Sequence, residues 1–582
     1  MEAAHKKHIT RQNALLCSAA AVLLVLLVWK SNLEKEILLP FLILGITFAV
    51  ILCLIKRIDL PKPLIIFSCV FASLVCGGLY NAFIYLFDRY LLKLGYMSGS
   101  GGMLTVSSFS YNILGMAVSL AAYPLVLIAG IWLFSIIVRG LSNLSLKSLL
   151  KEAAAGINGK QHVKSIFTLI VNLAFSAVIG TLLIWGVYSL PMDRIDGNMK
   201  SSAELLYNEG TYPSLYSWCF SRSDNYSDAI ILLEASDKTD SSALENAMLS
   251  NWGSIDGCDS VMSLKLHMID GIDFSREVSY SRYWQGYLAT IKPLLGLTDY
   301  EGIRGVNGSI QIFLMLLICV LLVARGRKDL IIPLLLSYMM LVPPVMGRCL
   351  FFSSCFLITL ISVIVLLVIK GDRKLPLLFL YTGIATAYVD LMSFPIMTFG
   401  IPAVICLSLY ADCTTEKKLI MTVKNGLSWC LGYAGMWILK WIIADILTDA
   451  DVIKAALDMV AVRMSSSEAG TEIFSVFSVF GRNMIAFLFT PVTLMIIAFL
   501  IYLYLRNRKT DPDPSKFSRV LLPSALICLI PFLWYAFAAN HSIIHYWFTC
   551  KSLVIPVFAM MCGMSDSLFI LNRKQATETV KE

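Results

Sequence analysis

Long apolar runs decide what this chain can fold into. They recur from about residue 13 to residue 571 and are separated by short polar stretches. A helix needs roughly 20 consecutive apolar residues to cross the hydrocarbon core of a bilayer, and these runs have that length. Only 15% of the residues are charged, against about a quarter in a soluble domain. The runs predict an all-α polytopic membrane protein with about 14 transmembrane helices.

The positions of the basic residues predict the orientation. Lys and Arg cluster in short loops, such as Lys56-Arg57, Arg325–Lys328 and Arg506–Lys509. Cytoplasmic loops carry this excess of positive charge, so both termini are expected in the cytoplasm. The same positions explain the net charge of +8 without a nucleic-acid partner.

The runs divide the chain into four regions. Residues 1–140 form an N-terminal four-helix membrane module, 141–164 a cytoplasmic amphipathic linker, 165–571 the membrane core and 572–582 a cytoplasmic tail. The linker is expected to contain a surface helix at about 141–155. The predicted spans lie at about 13–29, 36–55, 63–87, 112–138, 166–189, 309–325, 329–346, 350–369, 375–392, 397–411, 419–446, 483–505, 518–537 and 547–571.

One long polar segment interrupts the apolar pattern. It covers about residues 190–305, follows predicted helix 5, and is expected to form a mainly α extracytoplasmic domain. The loop at about 447–481 and the turn at 538–546 are predicted on the same side. Two of the fifteen cysteines, Cys219 and Cys258, lie in the long segment. A disulfide and two free thiols both fit this pattern.

Paired carboxylates mark the first part of the polar segment. Asp193 and Asp196 come just after a membrane helix, where partial desolvation raises the pKa of a carboxylate and makes it a better base. Asp224 and Asp228 are four residues apart and share one face if the segment is helical, which suits binding of sugar hydroxyls or a cation. The structural alternative is that these acids are solvated or cap a helix.

The end of the polar segment combines a cation with aromatic rings. Arg282 is followed by Tyr283 and Trp284. A guanidinium can hold a phosphate through two hydrogen bonds, and aromatic rings can stack on sugars, so the three are candidate substrate-binding residues. An aromatic belt at the membrane surface is the alternative.

Lys440 is the most unusual cation, because it lies inside a predicted membrane helix. A charge there is costly and usually pairs with or binds something. We expect Lys440 to bind a lipid phosphate, with snorkelling toward the headgroups as the alternative. Arg348, Arg463 and Arg482 are outer-side cations on the same topology.

Three further residues join the candidate substrate-binding set on the outer side: Asp390, His541 and His545. The two histidines are four apart, but a metal site needs a third ligand and none is indicated. The acid pair Asp449 and Asp451 is a weak metal signal. No cofactor is therefore predicted.

The arrangement over about residues 165–571 resembles the polytopic membrane glycosyltransferases of the GT-C type. The resemblance lies in a helix that ends in Asp193 and Asp196, a large outer loop, and following helices with outer-side cations. It implies transfer of a sugar from a polyprenyl-phosphate carrier to an envelope glycan, lipid or protein, outside a bacterial plasma membrane. Asp193 or Asp196 would be the base, and Arg348, Lys440 and Arg482 would bind the lipid phosphate.

The chain departs from that family, whose catalytic acid usually follows the first helix, in having four extra helices, 1–4, at its N-terminus. Two other functions stay open. A transporter or flippase of a lipid-linked or anionic solute would also use buried cations, and a non-catalytic partner in envelope assembly would need only binding surfaces.

Overall fold

The computed structural model describes residues 130–155, 159–190, 195–215, 219–236, 242–465, 467–468, 472–473, 476–488, 491–510 and 514–579. Predicted helices 1–3, most of helix 4, and Asp193 lie outside these residues. The chain divides into two compact units, Met1–Tyr123 with Gly308–Ile332 and Pro124–Asn307 with Pro333–Glu582. In the first unit the described part is the rest of one long helix and a 3-10 turn, where Arg327 and Asp329 form an ion pair at 2.7 Å. The features below belong to the second unit.

Helices account for most of the described residues. In chain order they are α1 Gly130–Ser142, α2 Leu146–Ala155, α3 Gly159–Tyr188, α4 Asp196–Glu209, α5 Asn225–Ala235, α6 Ala243–Leu249, α7 Ser260–Met268, α8 Leu288–Leu295, α9 Tyr300–Ala324, α10 Ile331–Met340, α11 Pro343–Arg348, α12 Leu350–Val368, α13 Leu375–Val389, α14 Met397–Leu409, α15 Thr415–Leu447, α16 Val452–Met464, α17 Val476–Leu488, α18 Pro491–Thr510, α19 Pro514–Ile527, α20 Ile530–Phe537, α21 Ala539–Ile544, α22 Tyr546–Thr549 and α23 Val554–Thr579. Two antiparallel two-stranded sheets join β1 Asn251–Ser254 to β2 Arg276–Ser279, and β3 Ser467–Glu468 to β4 Glu472–Ile473.

Several described helices are long and apolar enough to cross a membrane, which supports the prediction of a helical membrane protein. By length and composition these are Val163–Tyr188, Tyr300–Ala324, Leu350–Val368, Thr415–Leu447, Lys516–Phe537 and Tyr546–Leu571. The pair Gly130–Ser142 and Leu146–Ala154, bent by 74°, adds a seventh if it is one span. The count of about 14 stays a prediction.

Two predicted spans are broken by proline. The span predicted at 329–346 is α10 followed by α11, and Val342 between them has a left-handed φ of 56°. The span predicted at 483–505 is α17 followed by α18, which begins at Pro491. Proline has no N–H for the helix ladder, so it is favoured at a helix start, as in α11 and α18.

Two boundaries of the polar regions also differ from the prediction. Helix α9 begins at Tyr300, not near Ser309, because Arg304 and Asn307 in its first turns are buried against polar partners that hydropathy does not register. The predicted loop at 447–481 contains α16, which Asp451 caps by accepting a hydrogen bond from Lys454 N at 3.3 Å.

The segment between α3 and α9 is mainly helical, with the β1–β2 sheet as an addition. Its central element is α5, whose run Ala229–Leu233 is almost fully buried. The core around it includes Met199 and Leu206 from α4, Leu264 from α7 and Leu288 from α8. Because the run Ala229–Leu233 is apolar on every side of α5, it must be enclosed by the other helices. Cys258 is a free thiol.

Two glycines set how closely α13 and α15 approach. A Cβ added to Gly432 would lie 2.2 Å from Leu380 O, and one added to Gly383 would lie 2.2 Å from Trp429 O. The two backbones are therefore in direct contact. Small residues allow this kind of packing between membrane helices, where the hydrophobic effect contributes little to association.

We predict that Gly432→Ala destabilises the protein, because the added methyl group forces α13 and α15 apart. Overpacking of this kind costs about 1–3 kcal/mol. Thermal unfolding of the purified full-length chain should show a melting temperature several degrees lower. The control is Gly186→Ala on α3, where nothing lies within 4 Å of the added Cβ. Equal melting temperatures for the two variants would contradict the packing.

Candidate functional site

Two carboxylates at the start of α5 have different surroundings. Asp224 is the N-cap of α5, and its Oδ1 accepts a hydrogen bond from Ser227 N at 2.9 Å. Asp228 lies one turn further on, and both side chains are almost completely buried. The predicted spacing of four residues does bring these acids onto one helix, but only Asp228 is fully used by the fold.

Asp228 caps a membrane helix from outside that helix. Its Oδ2 accepts from Leu350 N at 3.0 Å and its Oδ1 from Phe351 N at 2.8 Å, the first two residues of α12. The Tyr300 hydroxyl donates to the same carboxylate. A negative charge at a helix N-terminus satisfies free N–H groups and the positive end of the helix dipole. Asp228 is therefore occupied in holding α5, α9 and α12 together.

An ion network beside Asp228 joins α4, α9 and α11. Arg304 Nη1 and Nη2 contact the two Glu209 oxygens at 2.7 and 2.9 Å, and Arg348 Nη2 contacts Oε1 at 2.7 Å. Burial alone would raise the pKa of Glu209, but the two arginines hold it below its ordinary value. Arg348, predicted to bind a lipid phosphate, is thus engaged with Glu209.

Arginine and aromatic side chains gather next to Asp224. The Arg222 guanidinium lies 5.9 Å from the ring centres of both Tyr212 and Trp547, and these two rings pack edge to face at 5.7 Å. The ring centre of His545 lies 5.2 Å from that of Trp547. These contacts bring the loop before α5 together with α22, the first turn of a candidate membrane span.

The histidine pair connects this group to α16. Arg463 Nη1 lies 3.1 Å from His541 Nδ1 and 3.3 Å from His545 Nε2, while His541 Nε2 lies 2.8 Å from Met392 O. A guanidinium can only donate, so both ring atoms that face it accept and both histidines are neutral. Burial, with the Arg463 charge, lowers the pKa of His545 to about 3. We call Tyr212, Arg222, Arg463, His541, His545 and Trp547 the Arg222 cluster.

Four N–H groups of the Arg222 cluster are buried and have no hydrogen-bond partner among the described residues. They are Arg222 Nε, Arg463 Nε, His545 Nδ1 and Trp547 Nε1. Because His545 Nε2 accepts from Arg463, its Nδ1 carries the proton and is a donor. Unpaired buried donors cost free energy, and two of these belong to cations. An anion bound between them would remove that cost.

Asp224 is the acid next to these donors. Burial raises the pKa of Asp224 to about 7. Smaller effects on this pKa come from the hydrogen bond from Ser227, the charge of Asp228 and the charge of Arg222. Burial also raises the pKa of Tyr212 above its ordinary value. Asp224 forms no ion pair within the described part of the chain. A carboxylate with a pKa near neutrality suits proton transfer.

The remaining predicted residues are not members of the Arg222 cluster. Asp196 starts α4 and is half-buried. Lys440 is fully buried, and its Nζ donates to Ala247 O at 3.1 Å and Met248 O at 2.9 Å. That geometry makes Lys440 a link between α15 and the C-terminal end of α6. Because Lys440 is fully buried, no face of its side chain is open to the lipid phosphate that the sequence predicts it to bind.

Asp390 and the aromatic turn hold structure in place. Asp390 accepts hydrogen bonds from Ser393 N at 3.0 Å and Ser354 Oγ at 3.1 Å, and so fixes the turn that carries Met392. Trp284 is buried, and its Nε1 donates to Met436 O at 2.7 Å. Tyr283 is buried, and Arg282 is half-buried beside it. The guanidinium carbon of Arg482 lies 4.3 Å from the ring centre of Tyr546.

Metal binding finds no support in the described residues, which contain no group of three or more His, Cys, Asp or Glu side chains that could hold an ion. Sequence reasoning named Asp224, His541 and His545 but did not connect them, and it missed Tyr212, Arg222 and Trp547. The signal for Arg222 and Trp547 was their position two residues from a candidate, Asp224 and His545 respectively. Tyr212 had no comparable signal.

Comparison of the chain with protein-family models, curated proteins and solved structures gives no match. The function must therefore be argued from the site itself.

We predict that Asp228→Asn destabilises the protein far more than Asp224→Asn. An amide group at 228 would place N–H donors against either Leu350 N or Phe351 N, and a buried unsatisfied donor costs about 1–3 kcal/mol. Asparagine at 224 still caps a helix, so that variant keeps its fold. Thermal unfolding of both full-length variants measures the difference. A stable Asp228→Asn variant would show that the carboxylate does not anchor α12.

Proposed function

We propose that this protein is an integral membrane glycosyltransferase that moves a sugar from a lipid-phosphate carrier to a hydroxyl acceptor. One observation carries the proposal: the buried Asp224 carboxylate lies beside Arg222 and Tyr212 of the Arg222 cluster, whose four unpartnered N–H donors include one in the first turn of a candidate membrane span. Two of the donors belong to arginines, which hold phosphates through paired hydrogen bonds. The site thus combines a base with an anion-binding surface.

Each part of the site has a role in the proposed reaction. Asp224 accepts the proton of the acceptor hydroxyl as that oxygen attacks the anomeric carbon of the sugar. The bond from this carbon to the phosphate oxygen breaks, and the phosphate leaves with the electron pair and gains negative charge. Arg222 and Arg463 stabilise that growing charge, an effect worth about 3–4 kcal/mol per donor. Tyr212 and Trp547 offer ring faces to the sugar.

This proposal moves the catalytic base from the residues that the sequence favoured. Asp196 starts α4, whereas Asp224 lies beside Arg222 and Tyr212 of the Arg222 cluster. Asp193 remains a candidate from the sequence. The resemblance to GT-C glycosyltransferases supports the same reaction class, with an outer-side acid and cations that face a lipid carrier.

The proposed setting follows from the same resemblance and from the charge pattern. We infer a bacterial plasma membrane, about 14 spans, both termini in the cytoplasm, and an extracytoplasmic domain between α3 and α9. The carrier is a polyprenyl-phosphate-linked sugar, and the acceptor is an envelope glycan, lipid or protein. No cofactor takes part.

We predict that Asp224→Asn lowers the transfer rate at least 100-fold, because general-base catalysis contributes about 10²–10⁴-fold. The assay uses the full-length protein in proteoliposomes with polyprenyl-phosphate-linked hexoses, and it measures release of free polyprenyl phosphate. Asp196→Asn and Asp193→Asn are the matched controls and should keep most of the activity.

Three outcomes would contradict this assignment. Full activity of Asp224→Asn removes Asp224 as the base, and loss of activity in Asp193→Asn alone restores the base that the sequence favoured. Movement of an unaltered lipid-linked sugar across the bilayer, without release of polyprenyl phosphate, identifies a flippase instead.

We predict that the transfer rate rises with pH and levels off above about pH 7. The pKa of Asp224 is raised to about 7, and only the ionised carboxylate accepts a proton. Activity is therefore lost as pH falls through that value. The pH profile of the wild type, compared with the residual activity of Asp224→Asn, measures this. A profile that is flat between pH 5 and pH 8 in the wild type would exclude Asp224 as the titrating base.

A further inference from the structure

The turn at residues 280–287 is fixed on two membrane-region helices. Trp284 Nε1 donates to Met436 O of α15 at 2.7 Å, and Trp441 Nε1 of α15 donates to Arg282 O at 3.0 Å. Gly286 N donates to Tyr388 O of α13 at 2.8 Å. The backbone that carries Arg282 is thus held at three points. A side chain on so rigid a support is presented in one place.

The cationic side chain of Arg282 has no acidic partner among the described residues. Its guanidinium carbon lies 4.7 Å from the ring centre of Tyr280 and 4.9 Å from that of Tyr283. Its Nε is buried and has no hydrogen-bond partner among the described residues. Glu234 is the acid nearby, but its carboxylate accepts from Gln285 Nε2 at 2.7 Å and from the Tyr287 hydroxyl. Aromatic rings orient the guanidinium and leave its charge uncompensated.

A second donor without a partner lies next to Tyr283. The ring of Trp437 on α15 packs edge to face on Tyr283 at 5.1 Å, and Trp437 Nε1 is buried with no described partner. Tyr283 therefore contacts both Arg282 and Trp437. A cationic donor and a neutral donor around one ring suit an anion with several oxygens, such as a phosphate.

An aromatic stripe runs from this point along α15. Trp429, Tyr433, Trp437 and Trp441 are spaced by four residues, which puts them on one helix face. Successive ring centres are 4.9, 6.1 and 6.1 Å apart. The stripe lies within the candidate span Thr415–Leu447, and Tyr433, Trp437 and Trp441 keep part of their surfaces exposed.

Aliphatic side chains on α15 are also open to the surroundings of the helix. Ile438, Ile442 and Ile446 are exposed although they lie in a candidate membrane span. An exposed apolar surface on such a helix faces hydrocarbon chains. A molecule bound at Arg282 can therefore continue into the membrane along α15.

We infer that Arg282 and Trp437 bind the headgroup of a phosphate-bearing membrane lipid, with its chain along the aromatic stripe of α15. The ligand class follows from the two parts of the site: the donors take the phosphate, and the stripe takes the apolar chain. The inference rests on this geometry and is independent of the proposed transfer reaction, whose donor phosphate belongs to the Arg222 cluster.

Native mass spectrometry of the full-length protein tests the inference with dioleoyl phosphatidic acid. Dioleoylglycerol is the uncharged match, and inorganic phosphate is the match without a chain. We expect phosphatidic acid to bind at least tenfold more tightly than either. Arg282→Gln should weaken its binding at least tenfold, and Trp437→Phe, which keeps a ring but loses the N–H, should weaken it severalfold.

The control is Arg276→Gln on β2, an exposed arginine of the same polar segment that should bind phosphatidic acid like the wild type. Size-exclusion profiles establish that each variant is folded, and Arg282→Lys replaces Arg282→Gln if the latter is not. Equal binding of phosphatidic acid by the wild type and the Arg282 variant would overturn the inference. Arg282 would then be an interfacial arginine without a specific ligand. Equal affinity for inorganic phosphate and phosphatidic acid would overturn the lipid assignment. Neither result bears on polyprenyl phosphate release at the Arg222 cluster.

Discussion

The buried carboxylate of Asp228 is the interaction on which the polar segment and the membrane helices both depend. It binds the first two backbone N–H groups of α12 and the hydroxyl of Tyr300 at the start of α9. A helix that begins inside the protein must find partners for its free N–H groups, and here another element provides them. Arg304, Glu209 and Arg348 add a second connection at the same place. These contacts hold α5 rigidly against the N-terminal ends of α9 and α12.

These contacts explain why two acids one turn apart differ in their hydrogen-bond partners. Asp228 is fully engaged by backbone and hydroxyl donors, whereas Asp224 accepts from Ser227 N and lies beside Arg222 and Tyr212. One acid builds the site, and the other is left for chemistry in our proposal. The structure thus gives a physical reason to separate them, since a carboxylate that already anchors a helix cannot also act as a base without loosening the fold.

Much of the membrane architecture was predictable, because hydropathy records burial in lipid directly. The predicted span at 350–369 coincides with α12, and that at 419–446 lies within α15. The predictions failed where local chemistry competes with hydropathy. Pro343 and Pro491 interrupt apolar runs, and buried polar residues such as Arg304 hide the start of α9. Paired polar groups are inexpensive to bury, but an apolar count cannot detect the pairing.

The candidate site was predictable only in pieces. The sequence identified Asp224 in the long polar segment, His541 and His545 just before predicted helix 14, and Arg282 among aromatics. It could not show that residues about 300 positions apart meet, so Arg222 and Trp547 had no visible connection. By itself the sequence determined a helical membrane protein with one long polar segment, because lipid and water impose that pattern on every residue. Tertiary structure alone decided which charged side chains have hydrogen-bond partners, such as Lys440 with its two backbone carbonyls, and which donors have none. The reason is that these partners come from distant parts of the chain.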